Sequence, residues 1–131
     1  MGVSVEWEDK DSTIVHLTYS GRWTTEEMHS AGLQSLLMVR SVKHPVYVIN
    51  DFSKSETLPV GVLWQARQLN QMRAPNWAAS ILITEDTLAI NLLELFGLIY
   101  LSQRRKRLFA VRTLEEAVKI IDQLKRDEQV Q

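Results

Sequence analysis

The chain has 131 residues, 45% of them apolar and 24% charged. That is the size and balance of one globular domain, spanning 1–131, whose core needs neither disulfides nor metals to hold it. Fifteen Lys and Arg against sixteen Asp and Glu leave a formal charge of -1, so no global field draws it to DNA, RNA or an acidic membrane. The lack of cysteine excludes a disulfide framework, a thiol nucleophile and every thiolate zinc site.

The opening MGVSVEWEDKDS has neither the basic start nor the apolar stretch of a secretory signal, and no run reaches the ~18 apolar residues of a membrane span. The expected location is cytoplasmic. Val3, Val5 and Trp7 alternate with polar residues, and Ile14, Val15, Leu17 and Tyr19 form a second strand after the charged turn Glu8-Asp9-Lys10-Asp11-Ser12, which predicts a β-hairpin. Gly21 breaks the pattern. Thr24-Thr25-Glu26-Glu27 then fits a capping box, with a helix expected from about Thr25 to Val39.

Pro45 blocks continuation of that helix, and Val46-Tyr47-Val48-Ile49 reads as a strand covered on both faces, ending at Asn50-Asp51-Phe52-Ser53. A second helix is expected from Pro59 to the Ala74-Pro75-Asn76 break, a fourth strand over Ala79–Thr84 and a third helix over Thr87–Ser102. A fifth strand follows over Arg107–Val111. A second capping box, Thr113-Leu114-Glu115-Glu116, opens the final helix, whose apolar face carries Leu114, Ala117, Val118, Ile121 and Leu124 and whose end frays from Arg126. The order β-β-α-β-α-β-α-β-α predicts an α/β domain: one layer of mixed sheet packed with helices, the strands after the hairpin running parallel.

That element order, the Gly21-Arg22-Trp23-Thr24 exit from the second strand, the Val48-Ile49-Asn50-Asp51-Phe52-Ser53 strand end and the closing Phe109-Ala110-Val111-Arg112-Thr113-Leu114-Glu115-Glu116-Ala117 together resemble the STAS domains of sulfate transporters and anti-sigma-factor antagonists. The resemblance covers nearly the whole chain and implies a non-catalytic regulatory or protein-interaction module. In the antagonist branch an Asp-Ser-Ser-Gly helix start carries a regulatory phosphoserine. Here Leu58-Pro59-Val60-Gly61 keeps the glycine without the serines.

Candidate functional residues fall in three groups. Asp51 stands at the C-terminal end of a central strand, the rim where open α/β sheets place ligands. Ser53, Ser55 and Thr57 follow it in what reads as a ligand or switch loop, since a phosphoryl group there would be favoured by a helix N-terminus. Turn formation and capping explain the same residues without any switch. In the third helix the apolar residues between Leu88 and Leu101 sweep roughly 240° of the circumference, where packing on one sheet needs ~100°. Leu92, Leu95, Phe96 and Ile99 are therefore the candidate interface of a homodimer, with a protein partner, neighbouring helices or an apolar, lipid-like ligand as alternatives. Arg104 and Arg105 in the basic run after that helix are candidate anion contacts, or simply cations at a helix C-terminus.

No dinucleotide, P-loop or hydrolase-elbow motif is present, and no cofactor or metal is expected. His16, His29 and His44 lack metal-ligand spacing and read as structural or solvated. Glu26-Glu27, Glu85-Asp86 and Glu115-Glu116 sit at expected helix starts, where the macrodipole accounts for them. Trp7, Trp23, Trp64 and Trp77 read as core residues or as the lining of an apolar pocket.

Overall fold

A computed structural model describes residues 2–56, 74–86 and 108–130. Strands β1 (Val3–Trp7), β2 (Ile14–Gly21), β3 (Val46–Ser55), β4 (Trp77–Ile83) and β5 (Leu108–Val111) form one sheet in the order β1-β2-β3-β4-β5. Among the described residues two helices pack on it, α1 (Thr25–Arg40) and the final helix α2 (Leu114–Val130). β1 pairs antiparallel with β2, and the three pairings from β2 to β5 are parallel. The class is thus mixed α/β with an N-terminal hairpin, as the strand patterns predict. The expected second and third helices lie outside the described residues.

Alternation along the strands divides the core between two faces. Val15, Leu17 and Tyr19 of β2 and Val46, Val48 and Phe52 of β3 point to the side covered by α1. Tyr47 and Ile49 of β3, Ala79, Ile81 and Ile83 of β4 and Val111 of β5 point to the opposite side, where Ala117 and Ile121 of α2 meet them. Covering both faces explains why Val46–Ile49 is apolar at every position, each residue at most 1% exposed. β1, at the sheet edge, instead alternates half-buried and exposed residues.

The expected capping box is complete: the Thr24 hydroxyl accepts from the Glu27 N–H at 3.1 Å, and the Glu27 carboxylate accepts from the Thr24 N–H at 3.1 Å. Glu26 and Glu27 also lie in the first turn, where carboxylates complement the dipole. Met28, Ala31, Gly32, Ser35, Leu36 and Val39 recur at helical spacing and form the buried stripe of α1. The helix ends at Ser41, whose N–H bonds to the Leu37 carbonyl at 3.0 Å. The side-chain amide of Asn76, just before β4, then donates to the carbonyls of Val39, Val42 and His44 at 2.8, 3.0 and 3.0 Å, fixing the chain as it leaves α1.

β3 is longer than the apolar run suggests. It stays paired with β2 through Ser20↔Lys54 and Gly21↔Ser55, whereas its pairing with β4 ends at Asp51↔Ile83. Ser53 and Ser55 therefore belong to the end of a strand, where a loop is expected from their polarity, and Asp51 stands near that strand end as its position predicts. Backbone pairing with β2, not side-chain apolarity, holds this segment extended. Gly21 closes the paired stretch with φ 56°, a left-handed conformation suited to glycine.

At the start of the chain the Gly2 N–H donates to the Glu27 carboxylate at 2.8 Å, and its carbonyl accepts from the Ser20 N–H at 2.7 Å. A Cβ at Gly2 would lie 2.6 Å from the Trp23 Cβ and 3.0 Å from its Cα. Gly2→Ala is expected to force the N-terminal segment off α1 and to destabilise by about 1–3 kcal/mol, as overpacking does. A denaturant titration of wild type and variant at equal m-value checks this.

Candidate functional site

Alternation on β2 turns His16 to the α2 side of the sheet, away from Val15 and Leu17. β3 places Asp51 on that same side, beyond Ile49, the parallel register partner of His16. The β1–β2 turn brings Glu8 back over the same place. Three residues far apart in sequence thus meet: His16 Nδ1 is 2.9 Å from Glu8 Oε2, and His16 Nε2 is 3.0 Å from Asp51 Oδ2. His16 is 8% exposed and Asp51 7%, while the Glu8 side chain keeps 31% of its surface in solvent.

The second oxygen of Asp51 is also engaged. Oδ1 accepts from the Ser53 N–H at 2.9 Å and from its hydroxyl at 2.6 Å, an Asx-type closure that fixes the strand end. The chain of bonds runs Ser53, Asp51, His16, Glu8. In a nucleophilic triad the hydroxyl meets the imidazole and the acid lies behind it. Here the hydroxyl meets the acid, and both imidazole nitrogens face carboxylates.

Ionised carboxylates only accept hydrogen bonds, so the geometry requires an N–H on each ring nitrogen, that is, the imidazolium. Burial alone disfavours that charge and lowers the His16 pKa; the bonds and charges of Asp51 and Glu8 outweigh it, and the pKa is raised above 6.5. For Asp51 burial pushes the pKa up, but the bonds from His16 and Ser53 prevail and bring it from 3.8 down to about 2. A cation between two anions is self-consistent in a partly desolvated place, and the ring has no free nitrogen to act as a base.

The turn beside this cluster is itself built from polar ties. The Asp9 carboxylate accepts from the N–H groups of Thr13 and Ile14 at 2.9 and 3.0 Å and from the Thr13 hydroxyl, and Ser12 adopts φ 56°. His44 Nε2 donates to the Ser12 carbonyl at 2.8 Å, and the Lys125 ammonium of α2 donates to the Thr13 hydroxyl oxygen at 2.8 Å.

Of the residues singled out in the sequence, Asp51 and Ser53 come together in this cluster. Ser55 does not join them; its hydroxyl accepts from the Trp23 indole N–H at 2.8 Å. Thr57, the apolar quartet Leu92, Leu95, Phe96 and Ile99, and the basic pair Arg104 and Arg105 lie outside the described residues. Trp7, Trp23 and Trp77 belong to the core on the α1 side, with Trp23 against Tyr19 and Phe52. His16 and Glu8 are the functional candidates that sequence reasoning missed. The available signal was phase: in β2, His16 is the titratable residue on the face of Ile14. Among the described residues no group of His, Asp and Glu could hold a metal ion, and none of the described helices is long and apolar enough to cross a membrane.

A scan against protein-family models, a search of curated proteins and a search of solved structures each find no match to the chain.

Asp51→Ala removes the partner of a buried cation and the acceptor of two Ser53 donors, and a loss of about 3 kcal/mol is expected. The pH dependence has two arms. The Asp51 pKa is depressed on folding, so its contribution is complete above pH 3.8 and is lost as pH falls towards about 2. The His16 pKa is raised, so its contribution is complete below pH 6.5 and is lost as pH rises through the folded value. Urea denaturation across pH should show both arms in the wild type, with the alkaline arm reduced in His16→Gln.

Proposed function

We infer that the chain is a non-catalytic, STAS-like regulatory or protein-interaction module that acts as a homodimer in the cytoplasm. The observation that carries this reading is the state of Asp51. At the strand end where an α/β enzyme would offer a carboxylate to its ligand, both oxygens of Asp51 are occupied by His16 and Ser53. The cluster holds the end of β3 in one shape and leaves Ser53 and Lys54 at the solvent-facing rim. A fixed polar rim suits recognition by contact better than proton transfer, for which a group must be free to exchange its proton. The mixed α/β class with its N-terminal hairpin supports this reading at the level of fold class.

The homodimer rests on the sequence of the third expected helix. Its apolar positions cover far more of the circumference than one sheet can bury, and a two-fold contact buries such a patch against its own copy. Light scattering over a concentration series is expected to give twice the chain mass of 15.1 kDa, and Phe96→Asp to return the protein to monomer with its circular dichroism retained. A wild type that stays monomeric at high micromolar concentration rejects the dimer. A monomer that carries a co-purified apolar molecule in native mass spectrometry replaces this reading with that of a ligand carrier.

A further inference from the structure

The cluster around His16 joins two parts of the fold that have no covalent reason to move together, the β1–β2 turn and the end of β3. We propose that the His16 imidazolium is a proton-operated latch, clamping Glu8 of the turn to the Asp51–Ser53 strand end, and that loss of its ring proton releases Glu8 while Asp51 stays bound.

The direction of release follows from the surroundings of the two carboxylates. A neutral imidazole keeps one N–H and presents one lone pair, so one of its two carboxylates must then face a lone pair at about 3 Å, a repulsive contact. Asp51 is 7% exposed and tied to both donors of Ser53. Turning it away would leave an anion and two donors buried without partners. Glu8 is the first residue of the turn, its side chain is 31% exposed, and a small rotation takes it to water. The remaining proton therefore stays on Nε2 against Asp51, and Nδ1 loses its proton together with Glu8.

The charges around the ring favour a transition in the alkaline direction. Glu8 faces it from the turn and Asp51 from β3; Glu6 stands opposite it in the β1 register. From α2, Lys125 is held on the Thr13 hydroxyl 6.0 Å from the Tyr47 ring centroid and itself offsets Asp9. The remaining ties of the turn do not change with the His16 proton: Asp9 stays an acceptor, and His44 donates to a carbonyl whether its ring is neutral or charged. Among the described residues Glu8 is thus the one tie of the turn whose sign is set by that proton, and its backbone N–H, bonded to the Ile14 carbonyl at 2.8 Å, reports the state of the strand ends next to it.

The test is nitrogen-15 NMR of the full chain between about pH 5 and 10, with Glu8→Gln as the second variant. At the acid end both His16 ring nitrogens are expected to carry protons. As pH rises through the folded-state pKa, which lies above 6.5, the Nδ1 proton should be lost. Between 6.5 and that pKa the protection of the Glu8 and Ile14 amides, corrected for intrinsic exchange, should fall by up to about tenfold per pH unit. An amide at position 8 can donate to the lone pair or accept from the N–H, so Glu8→Gln should keep the turn protected throughout. The latch is refuted by a ring neutral at the acid end, by a ring that never titrates in the range, by protection that is unchanged while the ring titrates, or by the same fall in Glu8→Gln.

Discussion

The structure depends on the parallel pairing of β2 with β3. These two strands lie inside the sheet, with β1 flanking β2 and β4 flanking β3, and their register sets both faces at once: Val15 and Leu17 beside Val46 and Val48 towards α1, Ile14 and His16 beside Tyr47 and Ile49 towards α2. A slip of one residue would exchange the faces, sending His16 into the apolar core under α1 and Leu17 into the polar cluster. Parallel strands need a crossover, and the capped helix α1 supplies it, so the cap at Thr24 and the register of β2 on β3 belong to one constraint.

Against that apolar frame the Glu8–His16–Asp51 cluster is a local exception with its own rule. Buried ion pairs are poor stabilisers when compared with well-packed apolar residues, because each charge must leave water. Their effect on specificity is greater. An imidazolium that needs an acceptor on both nitrogens tolerates only the register that brings Glu8 and Asp51 to it, so the cluster penalises misaligned hairpins and strand slips more than it deepens the native minimum. The same ties that make the cluster a register pin engage both oxygens of Asp51, with His16 on one and Ser53 on the other.

Local features of the chain were legible in the sequence. Val46–Ile49 is apolar without alternation because it is covered twice; Thr24 and Glu27 have the spacing of a capping box and form one; the charged stretch at Glu8–Ser12 is the hairpin turn. The end of β3 was not legible, since Ser53–Ser55 is polar and is held extended by hydrogen bonds from a strand more than 30 residues earlier. Asp51 stood out by its place at a strand end, but its partner could not be read, because His16 is separated from it by 35 residues and lone histidines are usually structural. The pairing of opposite charges across a sheet is a product of register. Periodicity gives each strand its faces and leaves the relative shift of two strands to tertiary packing.

Asn76 shows what such long-range ties mean for the order of assembly. Its amide donates to the carbonyls of Val39, Val42 and His44 at the exit of α1 from a position more than 30 residues downstream, and its own carbonyl accepts the Val46 N–H that starts β3. Helix α1 can nucleate from its cap, yet its connection to β3 stays unlocked until β4 arrives. On a ribosome, where residues emerge one after another, the first half of this domain would wait with an unsealed seam, and the emergence of a single asparagine would close it.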